Sequence, residues 1–176
     1  MIKNINAICL LSSKYNVSGT IYLDEIDNIT RIYGTIYGLK PNSNYISNNL
    51  ITFQKTPSNF GYKGHAIHIH EYGDLTDGCN KCCAHYNPFN MNHGGPLSQE
   101  RHIGDLGNII ANENGIATFS INDNLVKLSG EYSVIGRSIV IHEDEDDLGL
   151  GNHDDSLITG HAGKRITCGI IGYRSK

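Results

Sequence analysis

The chain of 176 residues has no apolar run longer than a few positions. A membrane-spanning helix needs about 20, so a membrane span is excluded. Basic residues are not in excess: Lys+Arg 14 against Asp+Glu 18 leaves a formal charge of −4. A nucleic-acid binder needs a basic stripe, so nucleic acid is excluded as a partner. Residues 1–11 carry a lysine and a short apolar stretch, but no signal-peptide core and no small-residue cleavage site. A cytoplasmic protein is therefore expected. There is no internal repeat, no linker and no sustained helical period. Proline is scarce, at 4 residues. The chain is 39% hydrophobic and 18% charged, too apolar and too mixed for disorder. At roughly 150 residues per domain, one domain over 1–176 is expected.

Short β-branched and aromatic runs are present, punctuated by 20 glycines. Period-two alternation or β-branched enrichment predicts strands over 7–11, 18–24, 30–38, 66–71, 107–111, 116–121, 138–142 and 166–172. Asn114-Gly115, between two of these, is a hairpin signal. The fold class is all-β, an eight-stranded antiparallel sandwich or barrel. Three stretches interrupt the strand rhythm. Residues 41–62 read as a surface loop, in which Ile51-Thr52-Phe53 can add a short strand. Residues 73–105 and 143–165 are long loops of the kind that carry function.

Nine histidines are many for this length. His68-Ile69-His70 puts two imidazoles on one face of a strand and Ile67 and Ile69 on the other. Such a pair is half a site for copper or zinc, although His-x-His alone is weak and also fits two exposed residues. His85, His93, His102 and Asp105 follow, a donor set that suits a closed tetrahedral zinc site. His142 ends a strand and can complete a copper site with His68 and His70.

In order and spacing, several motifs together resemble the copper–zinc superoxide dismutase family, of the eukaryotic intracellular type. They are His68-Ile69-His70-Glu71-Tyr72-Gly73-Asp74, Gly78-Cys79, His85-Tyr86-Asn87-Pro88, His93-Gly94-Gly95-Pro96 and Arg101-His102-Ile103-Gly104-Asp105. Asp146-Asp147-Leu148-Gly149, Gly163-Lys164-Arg165 and Cys168-Gly169-Ile170-Ile171-Gly172 continue the series. The resemblance covers nearly the whole chain except 41–62, which reads as a loop insertion.

The resemblance implies a Greek-key barrel with two long functional loops. It implies one copper, held by His68, His70, His85 and His142, and one zinc, held by His85, His93, His102 and Asp105. His85 would bridge the two ions and carry a proton in catalysis. Asp146 would link His68 to His93. Arg165 would hold the anionic substrate, and Thr159 would line the same channel. The implied activity is dismutation of superoxide to dioxygen and hydrogen peroxide, with copper as the redox metal and zinc as the structural one. A catalytically silent copper/zinc-binding module (a store, decoy or chaperone-like domain) is the alternative. It would be expected to lack a copper ligand or the arginine, and this chain lacks neither. A zinc hydrolase would need an open zinc position, which Asp105 as fourth ligand argues against.

The resemblance further implies a disulfide between Cys79 and Cys168, and a homodimer through Tyr72-Gly73, Ile135-Gly136, Ile170 and Tyr173. Cys9 reads as a buried core thiol. Cys82 and Cys83 are unusual for the family and read as two loop thiols. His65 reads as structural, and His153 and His161 as solvated. One departure bears on rate. Residues 143–165 hold seven acids and two bases. Ile158 and Asp144 stand where relatives can carry lysine, so weaker steering of an anion is expected. A copper-loading partner cannot be named from the sequence.

Overall fold

A computed structural model describes residues 4–12, 16–41 and 64–175. The expected loop over 41–62, beyond Pro41, and its expected strand at 51–53 lie outside the described residues. The strands are β1 (Ile5–Leu11), β2 (Ser18–Ile26), β3 (Ile29–Tyr37), β4 (His65–His70), β5 (Thr76–Cys79), β6 (Asp105–Ile109), β7 (Ala117–Asp123), β8 (Ser138–His142) and β9 (Arg165–Tyr173). Among the described residues a single α-helix, α1, spans Ser156–Thr159. Eight strands form one antiparallel sheet in the order β6-β4-β8-β9-β1-β2-β3-β7. Its end strands β6 and β7 approach each other, so the sheet is a nearly closed barrel. Neighbours that are distant in sequence, β4 with β8 and β3 with β7, mark Greek-key crossovers.

Alternation sets the core. On β7, Ala117, Phe119 and Ile121 point inward while Thr118, Ser120 and Asn122 face water. Ile21, Leu23, Ile32, Ile36, Ile67, Ile69, Ile139 and Ile141 fill the interior. Each such side chain contributes about 1.5–3 kcal/mol on burial. β4 and β8 break the alternation: every residue on them is buried. Their inner faces meet the core, and their outer faces lie under the two long loops.

Those loops are not bare, as the sequence had suggested. The first contains β5, which stands outside the main sheet, and a single 3-10 turn at Asn80–Cys82. The second contains α1. The Asn114-Gly115 turn forms, with Gly115 at φ +72° and Asn112 Oδ1 accepting from the N–H groups of Asn114 and Ile116. It does not close a hairpin ladder, however. Leu39 donates to the Gly115 carbonyl, whereas β7 pairs with β3 and β6 with β4. The turn lies at the barrel seam, where the strands on either side of it part.

A candidate dinuclear metal centre

Two register breaks place the site. Between β4 and β6 the pairing runs Ala66↔Asn108 and then His68↔Asp105, so β6 carries one extra residue. Gly107 sits there at φ +80°, a bulge conformation that glycine adopts without penalty. Between β8 and β9, Ile141↔Thr167 is followed by His142↔Arg165, one extra residue on β9. The first bulge brings Asp105 opposite His68, and the second brings Arg165 opposite His142.

The first long loop is laminated onto β4 by its backbone. Glu71 N–H donates to the Ala84 carbonyl, Tyr86 N–H to Ile69, Ile69 N–H to Gly104 and Gly104 N–H to Tyr86. A Cβ at Gly104 would lie 2.2 Å from the Ile69 carbonyl oxygen, so only glycine permits this approach. His85 and His102 are thereby carried over the outer face of β4.

Two groups of four side chains result, beside a smaller one of His68, His93 and Asp146. His68, His70, His85 and His142 form one, and His85, His93, His102 and Asp105 the other; within each, the ligand atoms all lie within 4.8 Å of one another. All seven side chains are buried. In the second group Asp105 Oδ1 lies 2.9 Å from His85 Nδ1, 3.0 Å from His93 Nδ1 and 3.0 Å from His102 Nδ1. His85 Nδ1 and His102 Nδ1 are 3.4 Å apart. The edge of a tetrahedron around zinc is about 3.3 Å for bonds of roughly 2.0–2.1 Å. In the first group His70 Nε2 and His142 Nε2 are 3.3 Å apart.

The other ring nitrogens are anchored, which fixes which nitrogen faces inward. His70 Nδ1 donates to the Cys83 carbonyl at 2.9 Å, His142 Nδ1 to Gly163 at 3.2 Å and His102 Nε2 to Met91 at 3.0 Å. His68 Nε2 and His93 Nε2 donate to the two oxygens of Asp146 at 2.9 and 2.7 Å. His85 has no such anchor: Nδ1 faces one group and Nε2 the other. His68 Nδ1, His85 Nε2 and His93 Nδ1 are buried without a hydrogen-bond partner. The last lies close to Asp105 but out of line for a hydrogen bond. Buried nitrogens are rarely left unsatisfied. Inward lone pairs that converge in this way fit metal ions.

The electrostatics agree. Burial lowers His68 and takes His70 well below its ordinary range. It pushes His142 down to about 4 and, with His68 beside it, His85 down to about 3. These imidazoles are neutral at pH 7, the form a metal requires. Burial would also lower His93, but the carboxylates of Asp105 and Asp146 overturn that and raise it to about 9. Burial would raise both carboxyls; the histidines around them hold both far below the ordinary range instead. The pocket between these carboxylates favours positive charge.

Several supporting contacts are visible only in the structure. Asn108 clamps Asp146, accepting from its N–H at 2.7 Å and donating to its carbonyl at 2.8 Å. Arg101 donates to the Asp105 carbonyl at 2.8 Å and is held by Asp123 at 2.6 Å. Arg165 donates to the carbonyls of Cys79, Asn80 and Cys83 at 2.7, 3.2 and 2.5 Å. The Cys83 carbonyl thus holds both His70 and Arg165. Cys83 itself has φ +65° and ψ −148°, a region kept almost entirely for glycine.

The remaining expectations fall as follows. The Cys79–Cys168 disulfide is present and spans 89 positions, worth on the order of 4–5 kcal/mol in the chain-entropy model. Cys9 is a buried thiol. His65 is buried, with its ring on the carbonyls of His142 and Lys40. His153 and His161 are exposed as expected, but they stack at 3.6 Å, and His161 pairs with Asp155. The Thr159 hydroxyl goes to Asp155; no hydrogen bond among the described residues joins it to Arg165 or to the imidazoles.

The fold and the paired donor groups define a Greek-key barrel with two adjoining side-chain groups that could each hold a metal ion and that share one imidazole. A family model for copper/zinc superoxide dismutase matches residues 42–171. Superoxide dismutase (Cu-Zn) of Paramecium bursaria Chlorella virus 1 is 47% identical over 171 residues, 97% of this chain and 80% of the relative. Superoxide dismutase (Cu-Zn) 3 of Arabidopsis thaliana is 42% identical over 173 residues, 98% of this chain and 93% of the relative. Extracellular superoxide dismutase (Cu-Zn) of Drosophila melanogaster is 56% identical over 110 residues, 62% of this chain and 61% of the relative. The chain belongs to the copper/zinc superoxide dismutase family.

Proposed function

We propose that this chain is an oxidoreductase that dismutes superoxide to dioxygen and hydrogen peroxide, with one copper and one zinc. The observation that carries this reading is His85, which offers one ring nitrogen to each of two otherwise complete ligand groups. Copper would be held by His68 Nδ1, His70 Nε2, His85 Nε2 and His142 Nε2. Four imidazoles without a carboxylate suit it. Zinc would be held by the Nδ1 atoms of His85, His93 and His102 and by Asp105, a closed set that suits a structural ion. Bound copper supplies the one-electron couple that oxidises one superoxide and reduces the next.

The protein's own groups do the rest. Arg165 presents a fixed cation to the anion, and its three carbonyl contacts keep the guanidinium beside His142. His85 Nε2 is the atom that hands a proton to reduced substrate. In a site where burial pushes this ring down to about 3, a proton placed there is given up readily. Asp146 holds His68 and His93 in register, so the two ligand groups keep their spacing.

Around this centre the reading extends to one domain over 1–176 with an inserted loop at 41–62, to a cytoplasmic location, and to Thr159 beside the substrate path. No helix of the described residues is long and apolar enough to cross a membrane. A homodimer is supported by the exposed apolar residues Tyr72, Ile170 and Tyr173. Asp144 and Ile158 are both exposed and support weak steering: added salt should lower the rate constant only slightly, and a steep fall would reject it.

The test is superoxide consumption per bound copper after reconstitution with both metals. A copper-proportional rate that is lost in His142→Ala is expected. Full metal occupancy without turnover would reject the enzyme reading and leave the silent metal-binding module.

A further inference from the structure

Cys82 takes no part in the metal centre, yet its surroundings single it out. It is fully buried and ends the 3-10 turn that starts directly after Cys79. It packs in one small apolar cluster with Val140, Leu75 and both halves of the disulfide, Cys79 and Cys168. Val140 and Cys168 are cross-strand partners on β8 and β9, so the cluster lies on the outer face of the barrel, apart from the main core. A free thiol and a disulfide therefore share a pocket of five side chains. The other free cysteines do not compete. Cys9 belongs to the main core, and burial pushes its thiol up to about 12. Cys83 is exposed.

We propose that Cys82 is a second disulfide partner of Cys168, and that the protein interconverts between two disulfide isomers. The Cys82 thiolate attacks Cys168 Sγ. A Cys82–Cys168 bond forms as the Cys79–Cys168 bond breaks, and Cys79 leaves as a thiolate. The proton lost by Cys82 is matched by the one that Cys79 takes up. One disulfide and one thiol stand on each side, so neither oxidant nor reductant is needed. Cys79 is half-buried, so the leaving sulfur reaches water, and the reverse attack starts from there.

The exchange bears on the active centre through the backbone. The carbonyls that hold Arg165 belong to Cys79, Asn80 and Cys83, and the last also holds His70. Moving the covalent tie from one end of this turn to the other re-aims those carbonyls. The second isomer keeps the loop tied to β9 but presents Arg165 differently.

The sequence makes the isomers separable. Lys81 lies between Cys79 and Cys82, and Arg165 and Arg174 bracket Cys168. Metal-loaded full-length protein is acid-quenched, its free thiols are alkylated, and it is digested with trypsin without reduction. Peptide 166–174 joined to 64–81 reports the first isomer; joined to 82–101, it reports the second, with fragment ions separating Cys82 from Cys83. We expect the second link in wild-type protein, its loss in Cys82→Ser, its persistence in Cys83→Ser, and its dominance in Cys79→Ser. A wild-type yield of that link no higher than the Cys82→Ser background overturns the proposal, whether or not Cys79→Ser folds. So does a folded Cys79→Ser protein with Cys168 fully alkylated.

Discussion

The two halves of the barrel use the same kind of strand to different ends. In β1, β2, β3 and β7 every pairing runs without a slip, through nine consecutive pairs between β2 and β3. These strands carry no histidine, and their inward apolar residues pack the core, while Asp123 at the end of β7 reaches the site only through Arg101. In β6, β4, β8 and β9 the register breaks twice, and each break lies next to the metal centre. A regular ladder keeps equivalent side chains at fixed spacing on one face. A bulge turns the chain and offers a different neighbour. The chemistry stands where the pairing is interrupted, and the uninterrupted half supplies the rigidity that holds it.

The sharpest break in that comparison is His85→Ala. It should lower superoxide turnover per copper by about 10²–10⁴-fold, the usual range for a lost proton-transfer group, read by superoxide consumption. Its counterpart in the regular half, Ile32→Ala, should destabilise the fold by about 2–5 kcal/mol. That variant should leave turnover per bound copper unchanged, measured by denaturant unfolding beside the same assay. Asp146→Ala removes a carboxylate that touches both ligand groups but is assigned to neither. It should cost about 10–100-fold in metal affinity, measured by chelator competition.

Acidity should also separate the halves. His142 and His85 are lowered to about 4 and about 3. The unfolded chain therefore binds more protons than the folded one between those values and about 6.5. Metal-free protein should lose stability as pH falls through that window. His93 is raised to about 9 and acts oppositely: its contribution is present below about 6.5 and fades as pH rises through 9. Denaturant midpoints of metal-free protein from pH 4 to 9 would show both limbs. The smallest expected effect is that of Cys83→Gly. It should raise stability by about 1 kcal/mol by relieving a backbone region that glycine occupies freely, measured as a shift in Tm.

Much of this was legible in the sequence. Side chains that can bind metal announce themselves by type, and a two-residue spacing on a strand fixes a shared face, as for His68 and His70. The eight sheet strands followed from alternation and β-branching. What stayed hidden is made of backbone. No residue type marks the carbonyls of Cys83, Gly163 and Met91, which orient three imidazoles. The bulge at Gly107 depends on one dihedral angle, and it moved the start of β6 back to Asp105. β5 is four residues long with no alternation to detect. The Asn114-Gly115 turn was visible, but the parting of its strands is decided by closure of the barrel. Nor did the sequence show that Cys82 is buried against the disulfide, because loop cysteines carry no periodicity.

The carboxylate of Asp146 and the ring of His85 have one more consequence. Each touches both ligand groups, so filling either pocket orders atoms that the other also uses. Such coupling is reciprocal: whatever factor one ion adds to the affinity for the second, the second returns to the first. A difference in the affinity of either pocket with the other filled and empty would therefore measure how stiffly those two side chains are held.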